Sequence, residues 1–159
     1  TQIIMKEVKE SFKLIGLKLK GKTTNQNKQS AKDCGSLWQK FETDKIFDRI
    51  KGRLSNEIYA VYYDYEKDEN SPFSYFIGCK TDTGYKPPEG LSELMIPAQK
   101  YEKFLAKGLM TACISTAWEK IWDSDVNRKF GFDFEIYDER SHDWTNAEVD
   151  IFISIAEEE

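Results

Sequence analysis

The chain of 159 residues carries 23 Lys and Arg against 28 Asp and Glu, a formal net charge of −5. That length suits one domain, or two closely packed halves, with a substantial core, and the acidic balance disfavours direct binding to nucleic acid. Cys34, Cys79 and Cys113 are scattered outside any C-x-x-C spacing, and His142 is the single histidine, so we expect no disulfide framework, metal site, cofactor or Ser-His-Asp triad.

The first half of the chain predicts the order strand, helix, strand, strand. Residues 12–20 are rich in apolar and β-branched side chains and precede a glycine, which favours a strand. A helix is expected from Asp33, a plausible N-cap, to about residue 51. Residues 57–65 and 73–81 then read as two antiparallel strands joined by a short charged turn. The first ten residues, TQIIMKEVKE, contain neither a signal-peptide pattern nor an apolar segment long enough to span a bilayer. We therefore expect a cytoplasmic protein without membrane contact.

The second half of the chain predicts a similar order. Residues 91–105 are expected to form two extended pieces that are broken at Pro97, because proline does not fit inside a central ladder. Residues 111–124 carry apolar side chains at helical spacing, including Trp118 and Trp122. Residues 131–155 read as two strands joined by a polar loop, and an acidic tail follows.

The last two predicted strands have two chemically different faces. Because successive side chains of a strand point to opposite sides, one side of the first strand is apolar and its other side is polar and aromatic, with Asp133, Glu135 and Tyr137. The second strand has an apolar row, Val149 to Ile155, that should lie under helices, while Glu148, Asp150 and Phe152 face away from it. We therefore expect Glu135 on the face opposite the helices, where carboxylates lie beside aromatic rings.

Together these elements form a loose internal repeat. Strand, helix, strand and strand occur in residues 6–82 and again in residues 92–156, and the whole chain, residues 1–159, reads as one domain. Two such β-α-β-β units joined edge to edge predict an α+β fold with one curved antiparallel sheet, both helices on one face and a ligand groove on the other face at the pseudo-twofold axis.

This order of segments resembles a known family. The Tyr-rich segment EIYAVYYDY, the segment MIPAQKYEKFLAKG, and FEIYDER followed by EVDIFISI look like the GyrI-like family, the stand-alone relatives of the effector-binding domains of AraC- and MerR-type transcription activators. The resemblance covers essentially the whole chain. It departs in the last strand, where family members commonly have Ile-Pro-Ile and this chain has Ile153-Ser154-Ile155. The repeats also use up the chain, so no helix-turn-helix domain is expected beside them.

The resemblance implies a domain that binds small, often cationic and lipophilic molecules, with a buried glutamate facing the cation. In this sequence that glutamate is most naturally Glu135. The other residues expected to line the aromatic groove are Tyr137, Tyr63, Trp118, Trp122, Tyr101 and Phe152. Tyr63 is preferred to Tyr62 because it shares a face with Tyr137 if Asp64 and Asp138 correspond. A structural role is the alternative for each residue: Glu135 would bond a neighbouring side chain, and the tryptophans would belong to the core.

Three functions remain open at this stage. The leading hypothesis is a module that senses or sequesters amphipathic organic cations without covalent chemistry. A second is a hydrolase of cyclopropane-bearing genotoxins, which the resemblance allows and in which Glu135 would position or deprotonate water. A third is a protein-interaction module, such as an inhibitor of DNA gyrase. The sequence leaves the natural ligand and the choice between monomer and dimer undecided.

Overall fold

The computed structural model describes the backbone of residues 2–156 and the side chains of residues 6–156. The strands in this part of the chain form one antiparallel sheet. They are β1 Gln2–Lys9, β2 Phe12–Lys18, β3 Ile58–Tyr63, β4 Ser74–Thr81, β5 Ser92–Ile96, β6 Gln99–Gly108, β7 Asp133–Tyr137 and β8 Ala147–Ser154. The helices are α1 Gln29–Thr43, α2 Ile46–Arg49 and α3 Met110–Asp123. None of these described helices is long and apolar enough to cross a membrane.

The sheet has the strand order β1-β6-β8-β7-β3-β4-β2-β5. Its two halves follow the same path, since β2-α1-β3-β4 and β6-α3-β7-β8 are each a β-α-β-β unit, and they meet where β3 pairs with β7. The flanking strands are exchanged, because β1 pairs with β6 of the second unit and β5 pairs with β2 of the first. The predicted α+β fold with duplicated units is confirmed.

Local structure differs from the prediction in three places. Strand β1 had no predicted counterpart. Helix α1 begins at Gln29, directly after Lys28 in a left-handed conformation with φ 57°, and therefore earlier than the predicted N-cap Asp33. The long predicted helix is also interrupted by Lys45, whose φ of 51° cannot continue α1, so that the short helix α2 follows as a separate turn. The break at Pro97 occurs as expected, between β5 and β6.

The sheet curls around an aromatic core on the face without helices, which we name the inner face. Phe12 on β2 and Phe134 on β7 have ring centroids 5.7 Å apart, although β4 and β3 lie between their strands. Three strand spacings in a flat sheet would separate them by about 14 Å. The curl is accompanied by close strand contact at Gly16, where an added Cβ would lie 2.0 Å from the carbonyl oxygen of Ile77.

The opposite face, which we name the helix face, packs against α1 and α3. The apolar row of β8 lies there as predicted, with Val149, Ile151 and Ile153 packed around Trp118 and Ile121 of α3. The predicted placement of Glu135 away from this row was wrong. Glu135 pairs directly with Ile151, so both side chains lie on the helix face. The predicted alternation within each strand is correct. The register between β7 and β8 decides which side of β7 lies on the same face as the apolar row of β8, and a single sequence does not specify that register.

Candidate functional site

Glu135 lies at the centre of the molecule, on the strand β7 that joins the two repeats. Its side chain is 1% exposed, and neutral donors hold it. Tyr62 and Trp118 donate hydrogen bonds to Oε2 at 2.9 and 2.7 Å, and Tyr137 donates to Oε1 at 2.7 Å. Within residues 6–156, no salt bridge of a lysine or arginine reaches this carboxylate. Among the described side chains, it is therefore a buried acid without a counter-charge.

The pKa of Glu135 reflects two opposing effects. Burial raises the pKa because it penalises the charged form, and the three hydrogen bonds lower it because they stabilise the carboxylate, with burial the larger effect. The same burial, together with the nearby carboxylate, raises the pKa of Tyr62 and of Tyr137 well above the ordinary tyrosine value. Both tyrosines therefore stay protonated and remain hydrogen-bond donors.

The surroundings of Glu135 follow the pseudo-twofold symmetry of the fold. Trp118 of α3 packs edge-on against Tyr62 of the first repeat, with ring centroids 5.0 Å apart. Trp38 of α1 packs edge-on against Tyr137 of the second repeat, also at 5.0 Å. Each helix thus places a tryptophan on a central-strand tyrosine of the other repeat. The equivalence ends at the indole nitrogens, since Trp118 donates to Glu135 whereas Trp38 donates to the hydroxyl of Tyr75 at 2.8 Å.

Tyr62 and Trp118, which donate to Glu135, also line a cavity between the first turns of α1 and the length of α3, and the carboxylate lies behind their rings without lining the cavity itself. We name this cavity the first chamber; its volume is about 310 Å³. Its side chains are mainly aromatic and aliphatic, so a bound apolar group would lose little polar solvation there. Its lining residues include Tyr62, Phe73, Ile114, Trp118, Trp122 and Arg128.

Arg128 is the cation at the edge of the first chamber, and a buried carboxylate neutralises it. Its Nη2 lies 2.8 Å from Oδ2 of Asp133, which is fully buried. Asp133 also accepts hydrogen bonds from the hydroxyl of Tyr65 at 2.8 Å and from the backbone nitrogen and Oγ of Ser154 at 2.7 and 2.8 Å. The Arg128 pair adds no net charge to the chamber wall, so Glu135 remains the uncompensated acid.

The structure divides the residues expected from the sequence between the two faces of the sheet. It brings Glu135, Tyr137 and Trp118 into direct contact, and it places Trp122, which is 40% exposed, on the wall of the first chamber. The expectation that Tyr63 shares a face with Tyr137 was wrong. Tyr63, Tyr101 and Phe152 belong to the inner-face core.

These three inner-face residues have partners of their own. Tyr63 stacks on Phe132 with ring centroids 5.4 Å apart, Tyr101 donates its hydroxyl hydrogen to Gln99 at 2.9 Å, and Phe152 stacks on Phe134 at 5.0 Å. The groove predicted on the face without helices is thus occupied by a packed aromatic core, and the cavities beside Glu135 lie on the helix face. The register between β3 and β7 explains this difference from the prediction, because it places Tyr62, and not Tyr63, on the same face as Glu135.

Sequence reasoning preferred Tyr63 to Tyr62 as the neighbour of Glu135, and it missed the Arg128–Asp133 pair. The signal for Tyr62 was present, since Ala60-Val61-Tyr62 and Glu135-Ile136-Tyr137 have the same spacing. Aligning the tyrosines instead of the following aspartates would have identified it. Arg128 lies before β7 in an irregular segment, where no periodicity indicates its direction.

With this geometry established, comparison with known proteins identifies the family. A family model described as "Cass2: Integron-associated effector binding protein" matches residues 7–155. The chain belongs to this family of effector-binding domains. A relative named transcriptional regulator BrlR, from Pseudomonas aeruginosa, is 28% identical over 153 residues. The match covers 91% of this chain but 52% of that protein, so the chain spans about half the length of this relative.

Solved structures show the same fold over nearly the whole chain. The integron cassette protein VCH_CASS2 from Vibrio cholerae superposes with a TM-score of 0.74 at 22% identity, covering 98% of this chain and 97% of the other. The structure of SAV2435 bound to tetraphenylphosphonium has a TM-score of 0.77 at 15% identity and covers 96% and 93% of the two chains. The resemblance to effector-binding domains inferred from the sequence is confirmed.

Proposed function

We propose that this protein binds lipophilic organic cations in the first chamber, with Glu135 as the counter-charge. The observation that carries the proposal is the state of Glu135, a 1% exposed acid that is held by three neutral donors and has no basic partner within residues 6–156. Such a site is costly while it is empty, because burial disfavours the charged form. A cation that brings its charge close to the carboxylate offsets this cost.

The walls of the chamber suit the same ligand. A cation that approaches Glu135 from this side first meets the rings of Tyr62 and Trp118, whose polar atoms are already engaged with Oε2. Cation–π attraction contributes roughly 0.5 to 2 kcal/mol for each well-placed ring. The flat ring of Trp122 and the aliphatic side chain of Ile114 make apolar contacts with ligands of several shapes, so selectivity is expected to come from charge and size.

The family supports a role in sensing or sequestering such molecules. Membership in the effector-binding family and similarity to a transcriptional regulator favour a module whose ligand occupancy is read out by another domain or protein. SAV2435, which shares the fold, was solved with a bulky lipophilic cation.

The decisive experiment compares a charged and a neutral ligand of similar shape. Binding of tetraphenylphosphonium and of triphenylphosphine oxide is measured by calorimetry for wild type and Glu135→Gln. We expect the variant to lose about tenfold or more in affinity for the cation, because a buried charge pair is removed, and to keep its affinity for the neutral compound. The control is Glu148→Gln, which removes a carboxylate that lines neither the first chamber nor the Glu135 site. Equal losses for both ligands in Glu135→Gln would show that the counter-charge hypothesis is wrong.

A further inference from the structure

A second cavity lies on the other side of Glu135. We name it the second chamber; its volume is about 450 Å³. Tyr137, which donates to Oε1 of Glu135, forms part of its wall, and Met110 lines both chambers. Its lining residues include Trp38, Tyr137, Trp144, Met110, Glu42 and His142.

The aromatic walls of the second chamber are fixed in different orientations. Trp38 and Tyr137 stand at an interplanar angle of 73°, and the hydrogen bond from Trp38 to Tyr75 locks the indole in place. Trp144 completes the wall from the loop before β8, where its carbonyl oxygen accepts a hydrogen bond from the backbone nitrogen of Met110 at 2.9 Å. Although its backbone is held, the Trp144 side chain is 62% exposed.

The described charged groups on the wall of the second chamber favour a cation. Glu42 of α1 lines it and is exposed, and none of the described residues on its wall is a lysine or arginine. The first chamber, in contrast, has Arg128 on its wall. Perpendicular aromatic faces with a carboxylate at the edge are the environment in which proteins hold methylated ammonium groups, which cannot donate hydrogen bonds and gain from cation–π contact.

We propose that the second chamber is a separate subsite for a quaternary ammonium group, with Trp38, Tyr137 and Trp144 as its aromatic cage and Glu42 as its counter-charge. This goes beyond the proposed function, because the subsite uses a different carboxylate and does not require a ligand in the first chamber.

The four tryptophans of the chain allow a direct test, because they are divided between the chambers. Trp38 and Trp144 line the second chamber, and Trp118 and Trp122 line the first. Their indole N–H signals are followed by ¹H–¹⁵N NMR during titration with choline and with 3,3-dimethylbutan-1-ol, its neutral isostere. We expect choline to shift the Trp38 and Trp144 signals saturably and the alcohol to leave them unchanged.

Variants then assign the contacts. We expect Glu42→Gln to weaken choline binding about two- to fivefold, because Glu42 is an exposed counter-charge, and Trp144→Ala to weaken it about threefold or more through loss of one cage ring. Glu119→Gln, an exposed carboxylate of α3 that lines neither chamber, is the matched control and should bind choline as wild type does.

The outcomes separate this inference from the proposed function. Choline shifts confined to Trp118 and Trp122, equal shifts with the neutral isostere, no shifts at all, or equal binding by wild type and Glu42→Gln would each overturn the ammonium subsite. None of these outcomes bears on tetraphenylphosphonium binding to Glu135. Conversely, tetraphenylphosphonium binding that does not depend on Glu135, together with saturable choline shifts at Trp38 and Trp144, would contradict the proposed function and support the second subsite.

Discussion

Ala60 and Glu135 are paired directly opposite each other at the junction of the two repeats. They occupy equivalent positions, since each lies two residues before a tyrosine that donates to the same carboxylate, Tyr62 in one repeat and Tyr137 in the other. The duplicated fold therefore presents two similar halves to one acid. The small side chain of Ala60 leaves space for the Glu135 carboxylate and places no second negative charge beside it.

We expect Ala60→Glu to be more destabilising than Ala60→Gln. Both variants overpack a fully buried position, so their difference isolates the repulsion between two carboxylates in one buried site. Urea unfolding should show a larger difference at about pH 8 than at about pH 5, because protonation of either carboxyl relieves the repulsion. A difference that does not depend on pH would contradict this explanation of Ala60.

We expect the stability advantage of wild type over Glu135→Gln to fall as pH rises. Burial raises the pKa of Glu135 in the folded protein, so the folded state binds a proton more tightly than the unfolded chain does. This contribution is complete below the ordinary glutamate pKa of the unfolded chain and is lost as pH rises through the higher folded-state pKa. Urea unfolding across this window should show a change of about 1.4 kcal/mol for each unit by which the pKa is raised. A constant difference between the two proteins would show that the carboxylate is not destabilised by burial.

We expect Tyr137→Phe to destabilise the protein and to raise the pKa of Glu135 further. The substitution removes the donor at 2.7 Å from Oε1, which costs about 1 to 3 kcal/mol when the partner is buried. Chemical unfolding at neutral pH measures the first effect, and the carboxyl ¹³C shift of Glu135 measures the second. The control is Tyr63→Phe, which also removes a tyrosine hydroxyl, but on the inner face, where the ring stacks on Phe132. This variant should leave the pKa of Glu135 unchanged. The same pKa change in both variants would rule out a specific role for Tyr137.

We expect Asp133→Asn to cause a larger loss of stability than any exposed charge substitution. Asp133 neutralises Arg128, whose side chain is 7% exposed, and removal of one member of a buried ion pair costs about 3 to 5 kcal/mol. The comparison is Glu66→Gln, which breaks an exposed pair with Lys22 and should cost about 1 kcal/mol or less. Similar midpoints of urea unfolding for the two variants would show that Arg128 finds another partner or water.

The elements of the fold were accessible from the sequence because they depend on local patterns. Apolar residues at helical spacing identified α3, and the break at Pro97 separated β5 from β6. Alternation along residues 131–155 correctly placed Glu135 and Tyr137 on one side of their strand, since neighbouring side chains of a strand must point apart. The echo between the two halves identified the duplicated β-α-β-β units, and the order of the segments identified the effector-binding family.

The sequence by itself thus determined the duplicated order of strands and helices, apart from β1 and the separate helix α2, and its resemblance to the family singled out Glu135 as the candidate acid. Only the tertiary structure decided which face of the sheet the acid occupies and which aromatic rings surround it. The physical reason is the register between strands distant in sequence, which pairs Glu135 with Ala60 and Ile151. A shift of one residue exchanges the two faces of a strand, and that single choice separates Tyr62, which holds the carboxylate, from Tyr63, which belongs to the inner core.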